Sequence, residues 1–77
     1  MAGTSERWAD RAARHMKAEL KRTGIGYAEL ARRLTEMEIP ETETSIAAKI
    51  NRGAFPAWFL LAAMKAIGRD VVKLDDL

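Results

Sequence analysis

Cysteine is absent from the 77 residues, so neither a disulfide framework nor a thiolate metal site can support this chain, and apolar packing has to do so. No long hydrophobic run is present either. The longest, Phe55 to Met64, spans ten residues, whereas a transmembrane helix needs roughly 20; this run belongs to a core or an interface. Met1 is followed by polar residues instead of a basic and then an apolar segment, so a secretory signal is not expected and an intracellular, cytoplasmic setting is. Repeats and low-complexity stretches are missing.

Chemistry is equally sparse. His15 is the sole histidine, with no second ligand or nucleophile at a useful spacing, and reads as a lone surface side chain. Gly24 and Gly26 flank a single isoleucine and fit an interhelix turn better than a phosphate-binding loop. The methionines are too scattered for a copper or cofactor site. No enzymatic activity, metal, cofactor or small-molecule ligand is expected. A chain of this length makes one domain, 1–77, and the size excludes a multi-domain enzyme.

What is present is helical periodicity. Trp8, Ala9, Ala12, Ala13, Met16 and Leu20 recur at about 100° per residue and predict a helix over about 5–22, with Thr4 or Ser5 as its cap and Gly24 just past its end. Arg7, Arg11, Arg14, Lys21 and Arg22 fall on the opposite face. They form either a solvated face, with Asp10 supporting Arg14, or a stripe facing phosphate. Tyr27, Leu30, Ala31 and Leu34 predict a second helix over 27–36, with Arg32 and Arg33 pointing away from the core. Pro40 breaks it, and the linker Thr35 to Thr42 follows.

A third helix over 43–52 starts at Thr42 or Thr44, buries Ile46, Ala47 and Ile50, and stops at Gly53. Its outer side carries Thr44, Ser45, Ala48, Lys49 and Arg52. A fourth helix over 56–67 opens at Pro56, presents Leu60, Leu61, Met64 and Ile67 as its core stripe, and leaves Trp58 and Phe59 to one side as a candidate joining surface. The tail 69–77 reads as a short strand or a helical turn. The expected fold is therefore all-α, a four-helix domain with room for a fifth helix.

Charge is unevenly spread. Residues 1–33 hold eight Lys/Arg against four acids, 48–77 five against three, and 34–47 has Glu36, Glu38, Glu41 and Glu43 with no base. A basic side and an acidic loop are expected.

From Gly26 to Gly68 the chain resembles the lambda-repressor/Cro-like helix-turn-helix family. The resemblance lies in Gly26-Tyr27-Ala28-Glu29-Leu30-Ala31, in Lys49-Ile50-Asn51-Arg52-Gly53, and in Pro56 with Ala66-Ile67-Gly68. The chain is also similar to small bacterial proteins of unassigned function with this pattern. The family joins its two key helices by about 3–4 residues; here the turn is roughly twice as long, and Tyr27 stands where a phosphate-contacting glutamine is usual.

The resemblance implies a regulator of transcription, acting as a homodimer on double-stranded DNA with the third helix in the major groove. Lys49 and Arg52 would contact phosphate or guanine, Thr44 and Ser45 would make polar contacts, and Ala48 would approach a thymine methyl. Tyr27 and Arg32 would contact phosphate from the second helix. Two other classes fit the sequence. One is a protein-interaction module docking through the fourth helix. The other is an RNA-binding adaptor using the basic first helix.

Overall fold

Helix α1 runs over Thr4–Thr23 and buries Ala13, Met16 and Leu20, side chains three and four residues apart on one stripe. The computed structural model describes the backbone of residues 4–77 and the side chains of 7–75 and 77; the expected caps Thr4 and Ser5 lie outside the described side chains. The chain leaves α1 at Gly24, whose φ of 72° lets the Ile25 N–H donate to the Leu20 carbonyl at 3.0 Å. Trp8 does not join the inner stripe. It is 46% exposed, and the Arg11 guanidinium lies 4.9 Å from its ring centre.

Helix α2, Tyr27–Glu36, buries Leu30, Ala31 and Leu34. Its C-terminal turn closes through the Ile39 N–H, which donates to the Leu34 carbonyl at 2.9 Å. Ile39 thereby lies against the core, while Glu38 adopts a left-handed φ of 65°.

Helix α3, Glu43–Arg52, starts at Thr42 in a reciprocal capping box. The Ser45 N–H donates to Thr42 Oγ1 at 3.0 Å and the Thr42 N–H donates to Ser45 Oγ at 2.9 Å, so two amides otherwise lacking partners are satisfied. Thr42, not Thr44, is the cap. Ile46 and Ile50 are fully buried, and each contributes about 2–3 kcal/mol by leaving water.

Gly53 ends α3 with φ 63°, and a Cβ there would collide with the Ala9 carbonyl. This glycine is therefore required twice, for its backbone conformation and for the close approach of α3 to α1.

Helix α4, Ala57–Ala66, begins after Pro56, which is its N-cap residue. Its buried residues are Phe59, Ala63 and Met64, with Ile67 just past the end. Met64 and Ile67 take their expected inner positions and Leu60 packs half-buried on the core, but the stripe is rotated so that Phe59 replaces Leu61. Phe59 is wholly buried, whereas Leu61 is 65% exposed. Almost every position of α4 is apolar, so periodicity alone could not fix its rotation; Lys65, its one charged residue, marks the outer face with Trp58 and Leu61.

Helix α3 packs on α1 and α2, and α4 packs on α2. The architecture is all-α, with four helices and no strand among the described residues. The tail forms only a 3-10 turn at Leu74–Asp76, so neither a fifth α-helix nor a strand is found there. No described helix is long and apolar enough to cross a membrane.

Candidate nucleic-acid interface

With Ile46 and Ile50 turned inward, the helical repeat sends Thr44, Ala48 and Arg52 outward on successive turns, and all three are exposed. Asn51 is also exposed and lies on the side facing α1. There it shares a shallow cleft of 310 Å³ with Asp10, Arg14 and Lys17. The tight passage of Gly53 over Ala9 holds this end of α3 against α1. Small, polar and cationic groups from two helices therefore meet on one surface, with the Asp10 carboxylate at its edge.

Arg7, Arg11, Arg14, Lys17 and Lys21 make no ion pair with any described carboxylate, and Arg14 gains none from Asp10. Lys17 and Asn51 were missing from the residues singled out in the sequence. Both had a spacing signal: Lys17 follows Arg14 by three, and Asn51 follows Ala48 by three.

Four expected contact residues are otherwise engaged. Lys49 is not outward-facing: its side chain is 30% exposed, and its ammonium donates to both Glu41 oxygens at 2.8 and 2.7 Å while lying 5.3 Å from the Phe59 ring centre. Ser45, held in the capping box, also donates its hydroxyl hydrogen to Glu41 Oε1 at 2.6 Å. Burial pushes the Glu41 carboxyl up, but the hydrogen bonds from Lys49 and Ser45 and the Lys49 charge together outweigh it, so its pKa lies below the ordinary value.

Arg32 is exposed but bridges Glu29 and Glu36 on its own helix. Hydrogen bonds from Arg32 and then Arg33 lower the Glu29 carboxyl to about 2, and the same contact with Glu29 raises the Arg32 guanidinium. Arg33 also donates to the Ala66 carbonyl at 3.0 Å, tying α2 to α4. Tyr27 is the first residue of α2 and packs half-buried against the core.

These pairings change the electrostatics of the acidic loop. Glu41 is taken up by Lys49 and Glu36 by Arg32, which leaves Glu38 and Glu43 exposed without a described ion-pair partner. The N-terminal end of α3 is therefore acidic and its C-terminal end basic. The expected joining pair on α4 is also divided. Trp58 is 53% exposed, but Phe59 is core, with the Trp58 ring edge-on to it at 6.3 Å.

Residues 8–72 match the family described as Domain of unknown function (DUF6471), and the chain belongs to that family. No curated protein and no solved structure matches it.

Proposed function

We propose that this DUF6471 domain binds double-stranded DNA through the C-terminal half of α3 and the adjoining flank of α1. The observation that carries the reading is the surface on which Asn51 shares a cleft with Arg14 and Lys17, beside exposed Ala48 and Arg52. Arg14, Lys17 and Arg52 supply phosphate contacts. Asn51 has the paired donor and acceptor that match adenine in the major groove, and Ala48 is small enough to meet a thymine methyl. The helix-turn-helix resemblance of Gly26 to Gly68 supports the same use of α3, and regulation of transcription in the cytoplasm is the corresponding role. The contact set moves toward the end of α3, because Lys49, Ser45 and Arg32 are occupied inside the domain and Glu43 repels phosphate at the helix start.

Fluorescence anisotropy of a labelled mixed-sequence duplex tests this. Arg14→Gln, Lys17→Gln and Arg52→Gln combined must abolish most of the binding at unchanged helicity, whereas duplex affinity equal to wild type would remove DNA as the partner.

A second reading rests on α4. Trp58 and Leu61 are exposed one turn apart on a helix without an acid, an apolar face suited to protein contact. We propose that a second copy of the chain covers it, because a homodimer doubles the DNA contact that so small a domain can make. Sedimentation to a mass near one chain would instead leave this face for a different protein.

A further inference from the structure

On the flank of α1 away from α3, the helix and the C-terminal segment enclose a cleft of 360 Å³ lined by Arg11, Arg14, His15, Glu19, Arg22 and Leu77. A smaller cleft adjoins it, sharing His15, Glu19 and Arg22 and adding Arg69 and Lys73. Five cationic side chains thus converge where Glu19 is the one carboxylate side chain among the described residues. Glu19 is 4% exposed: it accepts a hydrogen bond from Arg22 Nη1 at 2.6 Å on one oxygen, and its other oxygen, 2.6 Å from Arg69 Nε, is buried and accepts no hydrogen bond. It cannot neutralise Arg11 and Arg14 as well.

The wall of the cleft is partly prepared for a ligand. Arg11 is half-buried with its guanidinium held beside the Trp8 ring, which limits the rotamer freedom lost on binding. Arg22 uses one N–H on Glu19 and keeps the rest of its donor fork. His15 is not the surface side chain expected from the sequence. It is half-buried, and its Nε2 is closed off from solvent without a hydrogen-bond partner. A buried ring nitrogen left in this state is destabilising unless some group meets it.

We propose that this cleft is a phosphate site, taking the dianionic end of a small phosphorylated ligand, a phosphomonoester or a pyrophosphate, between Arg11, Arg14 and Arg22. Planar guanidinium forks match phosphate oxygens in pairs, and an excess of positive charge in a partly enclosed cleft favours a dianion over the single charge of a phosphodiester. The site does not depend on DNA binding, although Arg14 borders both surfaces.

Calorimetric titration with pyrophosphate, at an ionic strength fixed with potassium chloride, tests it together with the ring signals of His15, the chain's single histidine. One saturable site is expected, with the His15 signals moving along the same curve. Arg11→Gln and Arg14→Gln should each weaken binding roughly tenfold, while Lys65→Gln, on the outer face of α4 and not among the residues lining either cleft, leaves it unchanged.

A phosphomonoester should bind at least tenfold more tightly than a dinucleoside monophosphate, which offers only a phosphodiester. Absence of saturable heat, stationary His15 signals, or an equal loss in Lys65→Gln would overturn the proposal. So would equal affinity for the phosphodiester, which would make the cleft a contact for nucleic-acid backbone. Because no duplex is used, a negative result here leaves the DNA reading standing, and the reverse holds too.

Discussion

Replacing Lys49 by alanine separates the two roles that its position allows. As an outward-facing DNA contact it could be removed without loss of stability; as the partner of Glu41 it could not. Breaking a buried ion pair by removing one member costs about 3–5 kcal/mol, and an exposed pair contributes about 0–1. This pair lies between those limits, with Glu41 5% and Lys49 30% exposed. The variant keeps the Ser45 hydroxyl on Glu41, and water can approach through the place vacated by the lysine.

We therefore expect Lys49→Ala to lose about 2 kcal/mol, equivalent to a fall of roughly 8–16 °C in Tm for a domain of this size. Adding Glu41→Gln removes the stranded charge and should recover about 1 kcal/mol of that loss.

Acidity provides an independent check. In the wild type the Glu41 pKa is depressed, so its contribution is complete above the unfolded carboxylate pKa and is lost as pH falls through the lower folded value. In Lys49→Ala the main lowering contacts disappear and burial raises the pKa instead, so the neutral acid is the form the fold prefers. The stability gap between the two proteins is then full at pH 7 and narrows as pH falls through the ordinary carboxylate range toward the lower wild-type value. Urea unfolding followed by circular dichroism at pH 7 and pH 3.5 measures both effects. A Lys49→Ala variant as stable as wild type at pH 7, with weakened DNA binding, would refute the pairing and return Lys49 to the interface.

Four further variants test the packing and the exposed face of α4. Ile50→Ala empties a fully buried position and should cost about 2–5 kcal/mol in the same unfolding assay. Gly53→Ala combines a left-handed backbone with a collision against Ala9; thermal melts should show a loss of more than about 3 kcal/mol, and a near-neutral result would mean that α3 does not approach α1 as described. Trp58→Ala with Leu61→Ser removes exposed apolar surface and should convert a dimer to a folded monomer by light scattering. Phe59→Ser should unfold the domain, because Phe59 lies in the core.

The helices were legible because their buried residues recur every three or four positions and because Gly24, Gly53 and Gly68 follow three of their ends. The expected ranges 27–36 and 43–52 coincide with α2 and α3. Rotation of α4 was not legible, since a helix apolar nearly all round has no polar side from which to set the phase.

Lys49 failed for a different reason: its partner Glu41 lies eight residues away across the α2–α3 connection, a distance that no helical repeat encodes. The same holds for Glu19 with Arg69, and for the meeting of Asn51 with Arg14 and Lys17. Pairings across the fold depend on how the helices pack, which the amphipathic pattern restricts without determining.

The most direct measurement of the DNA-binding reading is the salt dependence of duplex affinity, because contacts to phosphate release counterions in proportion to their number. In the proposed interface Arg14, Lys17 and Arg52 would provide three such contacts. Wild type should bind a mixed-sequence duplex with an affinity that falls steeply between about 50 and 200 mM salt, and the triple glutamine variant should flatten the log–log slope by about 2–3 units. A variant slope equal to wild type, or a wild type that does not bind duplex at the lowest salt, would contradict the proposed interface.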